Sequence, residues 1–197
     1  MKQQNVRDRL IDSAVKIIAE NGLDKTTTKA IVSGTDINEA YIYTYFEGKE
    51  DLISKAFDSL NAGFAEEIDR RLPILGMTDI DFEIRHRMFF EAIWEFMIKN
   101  RDNCIAYVRY YYSPYFLKYS VASHKERYVS IIEKFKSVFI DEADMWMIMS
   151  HILNVMLDFA IKVHYGQMSN GDDYVEHVFR VIYHSIEQYF KKEEVTK

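Results

Sequence analysis

The sequence predicts an all-α protein with a small N-terminal three-helix domain and a larger C-terminal helical bundle, about nine helices in all. Two observations lead to this fold class. The 197 residues include only two prolines and seven glycines, so long helices can run without interruption. Apolar side chains recur every three or four residues along most of the chain, as expected where each helix buries one face. We place the N-terminal domain at residues 1–49 and the C-terminal domain at residues 50–197.

The amino-acid composition restricts the classes of protein to which the chain can belong. Hydrophobic residues make up 48% of the chain, which suits a globular protein with a substantial core. The single cysteine, Cys104, excludes an intramolecular disulfide and a cysteine metal cluster, and fits a reducing compartment. The N-terminus lacks the apolar segment of a signal peptide. The longest uncharged apolar run, Met145–Leu157, has 13 residues and is too short to span a bilayer. We therefore expect a cytoplasmic protein without membrane contact.

The segment from Thr27 to Lys49 predicts two short helices joined by a tight turn. Thr27 and Asn38 can each cap a helix, because their side-chain oxygens can accept hydrogen bonds from the free amides of a first turn. Between them, Gly34 and Asp36 suit the turn, because both residue types tolerate a left-handed backbone better than most.

The second of these short helices has two different faces. Ile42 and Phe46 are four residues apart and form an apolar face. The other face carries Glu39, Ala40, Tyr41, Tyr43, Thr44 and Tyr45. This pattern is typical of a helix-turn-helix, whose second helix lies in a DNA major groove. Residues 5–21 predict a preceding amphipathic helix that completes a three-helix core, and Gly22 ends that helix.

Residues 6–52 resemble the N-terminal domain of the tetracycline-repressor-like (TetR) family of one-component regulators. The resemblance covers about a quarter of the chain. After the first helix it rests on the spacing of Gly22, Thr26-Thr27, Ala30-Ile31, Ile37-Asn38, Tyr43-Thr44-Tyr45-Phe46 and Lys49-Glu50-Asp51-Leu52. Glu39 stands where the family commonly has Lys, and Tyr41 stands where a small residue is usual. We therefore expect an operator sequence particular to this chain.

The resemblance implies a homodimeric, ligand-responsive transcriptional regulator, a repressor that a small molecule releases from a palindromic double-stranded DNA operator. It implies phosphate contacts by Thr27, Lys29, Tyr43, Tyr45 and Lys49. It implies that the base edges face Asn38, Glu39, Ala40, Tyr41 and Thr44. In the family the last two helices of each subunit pair into a four-helix dimer interface, and we expect the same of residues 142–166 and 173–191.

The charge balance is unusual for a DNA-binding protein. The net charge is −6, and residues 1–55 carry eight Lys and Arg against nine Asp and Glu. The N-terminal domain is therefore nearly neutral rather than basic. Phosphate binding would depend on individual cations and on helix N-terminal amides. The candidate cations are Lys2, Arg7, Lys29 and Lys49. We expect modest non-specific affinity and a shallow dependence on salt.

The C-terminal helices are rich in tyrosine and methionine. Residues 107–119 hold six tyrosines, and residues 142–166 are apolar nearly all round except for a polar row that includes Asn154 and Asp158. Two interpretations stay open: an amphipathic core with hydroxyl groups at the surface, or a hydrophobic pocket with few polar contacts. For the second we expect a small, largely apolar ligand. Its expected contacts are Trp94, Met97, Tyr107, Tyr110, Tyr111, Tyr115, Asn154 and Asp158.

No catalytic or metal-binding pattern is visible. Glu83 and His86 have the Glu-x-x-His spacing of di-iron bundles, but such a site needs two pairs, so we interpret this pair as surface. No glycine-rich phosphate loop or nucleophile motif occurs, and we expect no enzyme activity, metal or cofactor. The alternative function is a helical small-molecule carrier or interaction dimer that has lost DNA binding. The acidic balance and Glu39 favour that alternative, whereas the complete helix-turn-helix pattern opposes it.

Overall fold

The computed structural model describes residues 5–191, so Lys2 lies outside the described residues. Within that range ten α-helices and three short 3-10 turns form the fold. Residues 5–191 contain no β-sheet and only one isolated antiparallel bridge, between Phe139 and Phe190. The all-α fold class is confirmed.

The helices follow one another with short connections. They are α1 (Val6–Asn21), α2 (Thr28–Val32), α3 (Ala40–Tyr45), α4 (Lys49–Arg71), α5 (Phe82–Lys99), α6 (Arg101–Tyr111), α7 (Pro114–Tyr119), α8 (Val121–Phe135), α9 (Met145–His164) and α10 (Asp172–Ile186). The 3-10 turns are Leu72–Gly76, Lys136–Val138 and Glu187–Tyr189.

One predicted helix is divided in two, so the prediction of about nine helices was one too low. The apolar periodicity predicts a single helix over residues 115–139, but Ser120 separates α7 from α8, and residues 136–138 form a 3-10 turn. Ser120 is buried, and its hydroxyl shares a 3.0 Å hydrogen bond with the Tyr110 hydroxyl. At Ser120 the backbone leaves helical geometry, with φ −127° and ψ −7°.

The described residues divide into two compact units. Unit 1 contains the residues up to Gly63 together with Asp102–Glu126, and unit 2 contains Phe64–Arg101 together with the residues from Arg127 onward. Helices α6 and α7 therefore belong with the N-terminal helices. The domain boundary that we expected after residue 49 stays a prediction.

Unit 1 has an aliphatic core beside an aromatic cluster. Its fully buried side chains include Leu10, Ile18, Ile31, Ile42 and Leu52. Near the C-terminus of α1, Arg109 of α6 donates a 2.8 Å hydrogen bond from Nη1 to the Ile18 carbonyl, where positive charge is favourable. The Phe57 ring stacks on Tyr110, with 4.4 Å between ring centres.

Unit 2 is held together by packing of α5, α9 and α10 against one another. An ion pair joins α5 to α10, with Arg87 Nη1 2.5 Å from Glu176 Oε2. Trp94 of α5 donates a 2.9 Å hydrogen bond from Nε1 to Asn170 Oδ1, which ties α5 to the loop before α10.

Helix α9 is the one described helix that is long and apolar enough, by length and composition alone, to cross a membrane. In the sequence, the uncharged run of 13 residues looked too short to span a bilayer. The full helix has 20 residues and a mean hydropathy of 1.3 over its apolar window. Core helices of soluble proteins have the same properties, and α9 packs against α5 and α10. Even so, only 22% of that window is buried within the chain. Trp146 and Met147 are exposed, and most of the other apolar residues of α9 are half-buried, so part of its apolar surface is without a partner in the isolated chain.

Candidate nucleic-acid interface and apolar cavity

Local hydrogen bonds build the helix-turn-helix of unit 1. Thr27 Oγ1 accepts a 3.1 Å hydrogen bond from the Ala30 amide and caps α2. Asn38 Oδ1 accepts a 2.9 Å hydrogen bond from the Ala40 amide at the start of α3. Both residues therefore satisfy an amide that a helix N-terminus leaves without an internal partner, as the sequence predicted.

The turn between α2 and α3 uses one left-handed residue rather than two. Gly34 has a φ of +80°, and every described residue with positive φ is a glycine. The predicted left-handed role of Asp36 was therefore wrong. Asp36 instead forms an ion pair with Arg9 of α1. The hydrogen bond from Arg9 holds the pKa of the Asp36 carboxyl below its ordinary value. A contact with the neighbouring helix positions this residue.

Helix α3 buries one face and presents the other to solvent. Ile42 is fully buried and Phe46 is 6% exposed, whereas Tyr41, Tyr43 and Tyr45 are 47%, 64% and 43% exposed. Large aromatic side chains usually bury most of their surface. Three exposed tyrosines on six residues of helix therefore make α3 an unusually aromatic surface.

On the outer face of α3, small side chains lie along the middle and tyrosines lie on either side of them. Successive helix residues are about 100° apart, so Ala40 and Thr44 lie opposite the buried pair described above. Tyr43 and Tyr45 fall on the two flanks, and Tyr41 lies between the centre and one flank. This placement suits contacts of the flanking tyrosines with the two backbones that border a groove, and of the central residues with base edges.

All ten predicted DNA-contact residues lie within this short segment. Glu39 and Lys49 are half-buried, and the other eight are exposed: Thr27, Lys29, Asn38, Ala40, Tyr41, Tyr43, Thr44 and Tyr45. The Glu39 carboxylate is turned inward, where its Oε1 accepts a hydrogen bond from the Thr28 hydroxyl. Lys49 Nζ lies 3.8 Å from Glu50 Oε1. The role of each residue at DNA stays a prediction.

The sequence profile of a protein family matches this segment. The family is described as bacterial regulatory proteins, tetR family, and the match covers residues 10–56. A solved structure of a TetR family transcription regulator from Marinobacter aquaeolei superimposes with a TM-score of 0.73 over 94% of this chain and 96% of that one. The chain is TetR-like. The two proteins are 14% identical, so this likeness shows the fold of the TetR-like chain.

Two further similar proteins are both named as regulators. The fatty acid metabolism regulator protein of Bacillus subtilis is 33% identical over 70 residues, which are 35% of this chain and 36% of that protein. The match thus spans about a third of that relative. The transcriptional regulator FadR from Bacillus subtilis, solved in complex with stearoyl-CoA, superimposes with a TM-score of 0.67 and is 18% identical. That superposition covers 89% of this chain and 96% of FadR.

Unit 2 of the TetR-like chain contains an apolar cavity of about 60 Å³. Its walls come from α5, α8, α9 and α10 and from the residues that follow α8 and α10. The lining residues are His86, Phe89, Phe90, Phe135, Phe139, Ile152, Met156, Phe179, Ile182, Tyr183, Ile186 and Phe190. A more open groove of about 210 Å³ lies between α9 and α10 and is lined by residues that include Met147, His151 and Ser185.

Two polar side chains interrupt the apolar lining of the cavity. His86 Nδ1 lies 2.7 Å from the Phe82 carbonyl, a distance at which the ring donates a hydrogen bond. Burial lowers the pKa of His86 to about 4, so the ring is neutral at physiological pH. Burial also raises the pKa of Tyr183 to about 12. The cavity therefore offers two neutral polar groups in an aromatic setting. The prediction that His86 lies on the surface was wrong.

The eight predicted ligand-contact residues fall into the two units. Tyr107, Tyr110, Tyr111 and Tyr115 belong to unit 1, and Trp94, Met97, Asn154 and Asp158 belong to unit 2. None of the eight lines the 60 Å³ cavity. Several have other roles: Tyr110 bonds Ser120, Trp94 bonds Asn170, and Asp158 forms a 2.6 Å ion pair with Lys162. Their contact with a ligand stays a prediction.

Sequence reasoning missed the residues that line the cavity. A signal for them is present in the sequence, because helical spacing places Phe89 on the apolar face of its helix and Phe179, Ile182 and Ile186 on that of theirs. Helical periodicity shows that a residue is buried but not which other helix it meets. The meeting of α5, α8, α9 and α10 around one space is a property of the tertiary fold. Residues 5–191 contain no cluster of metal-ligating side chains.

Proposed function

We propose that this chain is a ligand-responsive, sequence-specific DNA-binding transcriptional regulator, a repressor that a small molecule releases from a palindromic operator. The observation that carries this proposal is the outer face of α3, with three exposed tyrosines on a helix whose other side is buried. A carrier protein has no need of such a surface. The match of residues 10–56 to the tetR family supports the same function. Binding to an operator implies a cytoplasmic protein.

In the proposed complex α3 lies in the major groove. Exposed Thr27 and Lys29 near the start of α2 and half-buried Lys49 at the start of α4 contact phosphates, together with the flanking Tyr43 and Tyr45. Ala40, Tyr41 and Thr44 face the groove floor, where side chains read bases, and Asn38 and Glu39 stand beside them at the start of α3. With two lysines in this set, the electrostatic part of the affinity is modest.

A homodimer would supply the two recognition helices that a palindromic operator needs, about 34 Å apart. Helix α9 supports an interface through the last two helices, because it is highly apolar yet only 22% of its apolar window is buried within the chain. Exposed Met147 on α9 and exposed Val181 on α10 lie on surface that such an interface would cover. Burial of this area would be favourable at about 25 cal/mol per Å².

The small molecule is proposed to be largely apolar and to enter the cavity lined by α5, α8, α9 and α10. At about 60 Å³ the cavity is much smaller than sites of roughly 300–1,000 Å³ that hold drug-sized ligands. A ligand would therefore select a conformation with an enlarged cavity. It would release DNA only to the extent that it binds this conformation better than the DNA-bound one. The stearoyl-CoA bound to FadR supports a test with long-chain acyl ligands.

Selection from a random pool of DNA duplexes tests the proposal directly. The protein is first freed of bound small molecules by mild denaturation and refolding, and its helical content is checked by circular dichroism. We expect enrichment of a palindromic site at low and at physiological salt, and loss of this enrichment in a Lys29→Ala/Tyr43→Ala variant. No enrichment at either salt from folded, ligand-free protein would contradict the proposal, and the carrier function would then take its place.

A further inference from the structure

We infer that the recognition surface reads the 5-methyl groups of thymine, through the methyl groups of Ala40 and Thr44. This inference rests on the proposed function, in which α3 docks in a DNA major groove. It goes further by naming the base chemistry that α3 recognises. The inference follows from what each side chain of the helix-turn-helix can still offer to a base once its bonds within the protein are counted.

The recognition helix α3 provides no cation to read guanine. The commonest specific contact in the major groove is an Arg or Lys that bonds guanine O6 and N7. No Lys, Arg or His occurs between Lys29 and Lys49, so α3 itself carries none. Two arginines of α1 are engaged inside the motif. The Arg7 guanidinium lies 5.6 Å from the centre of the Phe46 ring, and Arg9 pairs with Asp36.

The side chains suited to adenine and cytosine are also engaged within the motif. Asn or Gln reads adenine with its amide oxygen and nitrogen together, and Glu or Asp reads cytosine by accepting from N4. The Asn38 oxygen instead accepts from the Ala40 amide at 2.9 Å and holds the start of α3. The Glu39 carboxylate accepts from Thr28 of α2. These bonds hold both side chains at the start of α3, which restricts how far either can turn toward a base edge.

What remains at the centre of the outer face is apolar. Ala40 and Thr44 are both exposed and lie four residues apart, so their side chains are neighbours on the helix surface. The Thr44 hydroxyl donates to the Ala40 carbonyl at 3.4 Å, which leaves its methyl group as the part of the side chain offered to a partner. Thymine is the one base that presents an apolar group in the major groove, and Ala and Thr methyl groups are its usual contacts.

The neighbouring tyrosine strengthens this surface. Tyr41 is 47% exposed and lies three residues before Thr44, so its ring borders the same side of the helix. An aromatic ring beside two methyl groups excludes water from a contact without requiring a fixed hydrogen bond. The expected half-site therefore contains at least one thymine whose methyl group packs against α3, and its recognition does not depend on guanine.

Base analogues in the selected operator test the inference with the wild-type protein. Each thymine is replaced singly by deoxyuridine, which removes only the methyl group, and dissociation constants are measured by fluorescence anisotropy. At one or two positions per half-site we expect a loss of about four-fold, the effect of removing one buried methyl group. Replacement of each guanine by 7-deazaguanine should cause no comparable loss. A selected operator that tolerates deoxyuridine everywhere, or that depends on guanine N7, overturns the inference.

A matched pair of variants assigns the contact to α3. Ala40→Gly/Thr44→Ser removes both methyl groups and keeps the Thr44 hydroxyl, and we expect the deoxyuridine penalty to fall below two-fold. Ala30→Gly/Thr35→Ser makes the same chemical changes elsewhere in the motif, where the hydroxyl bond to the Val32 carbonyl is kept, and should retain the penalty. A full penalty in the first variant shows that another part of the protein reads the methyl group and overturns the assignment.

The proposed regulator function and the inference about thymine can be contradicted separately. If a palindromic site is enriched but shows no deoxyuridine penalty, the regulator function stands and only the inference about thymine is wrong. If no site is enriched from folded, ligand-free protein, the proposed function fails, and the inference fails with it.

Discussion

Replacing His86 with phenylalanine should remove a large part of the acid sensitivity of folding. The His86 ring lies among aromatic rings, with its centre 4.1 Å from that of Phe82 and 5.3 Å from that of Phe190. Burial lowers its pKa from 6.5 to about 4, although the hydrogen bond to the Phe82 carbonyl acts in the opposite direction. Phenylalanine has a similar shape and suits the same surroundings. The variant therefore removes the titrating group and keeps most of the packing.

The sign and size of this pH effect on stability follow from the difference in the His86 pKa between the folded and unfolded states. Because the folded state favours the neutral ring, the stabilisation is complete above pH 6.5 and is lost as the pH falls from 6.5 towards 4. At pH 5 nearly all unfolded chains carry the proton on His86, whereas about a tenth of folded chains do, given the pKa of about 4. This difference is worth about 2 kcal/mol of unfolding free energy per chain.

Urea denaturation at pH 7 and pH 5, followed by circular dichroism, measures this difference. Wild-type protein should lose about 2 kcal/mol more between the two pH values than His86→Phe. At pH 7 the variant should be less stable by about 1 kcal/mol, because the bond to the Phe82 carbonyl is lost. All other ionisable groups are common to the two proteins, so their contribution cancels in the comparison. Equal losses for the two proteins would refute the reasoning and show that the ring is charged or hydrated in the fold.

Three further predictions concern the proposed regulator. Tyr43→Ala should weaken binding to every operator variant by a similar factor, whereas Tyr41→Ala should also change the order of preference among them; equal losses for both in binding titrations would contradict the division of roles. Lys29→Ala should reduce the slope of log K against log salt by about 2 per dimer, since each subunit loses one phosphate contact, and an unchanged slope would exclude that contact. Val181→Glu on α10 should convert the proposed dimer to a monomer at low micromolar concentration, as measured by light scattering. Val129→Glu on α8, where the valine is similarly exposed, should remain dimeric. The same oligomeric state for both variants would exclude an interface at α10.

Much of the N-terminal motif could be predicted from the sequence because its determinants are local. The caps Thr27 and Asn38 act on amides only two or three residues away, and such short-range chemistry is readable from residue type and spacing. The burial of Ile42 and Phe46 followed from helical spacing alone. Two ion pairs on α5 likewise follow from the spacing of opposite charges four residues apart, with Glu83 and Arg87 3.9 Å apart and Glu95 and Lys99 2.5 Å apart.

The errors occurred where a residue bonds to a distant part of the chain. Asp36 was assigned a backbone role, but it pairs with Arg9, 27 residues earlier. Ser120 was placed inside a continuous helix, but its hydroxyl bonds Tyr110 of another helix and the helix breaks there. His86 was assigned to the surface because no second Glu-x-x-His pair accompanies it, and only the tertiary structure reveals that it lies among aromatic rings.

The sequence by itself determined the fold class, the helix-turn-helix and the segment that would meet DNA, because helix periodicity, capping and turn chemistry operate within a few residues. Only the tertiary structure decided which polar side chains remain available to a partner. Asn38 and Glu39 look like base readers in the sequence, yet each is engaged within the motif. The cavity in unit 2 is likewise enclosed by four helices that are distant in sequence. Local pattern specifies which face of a helix is buried, whereas long-range packing specifies what that face meets.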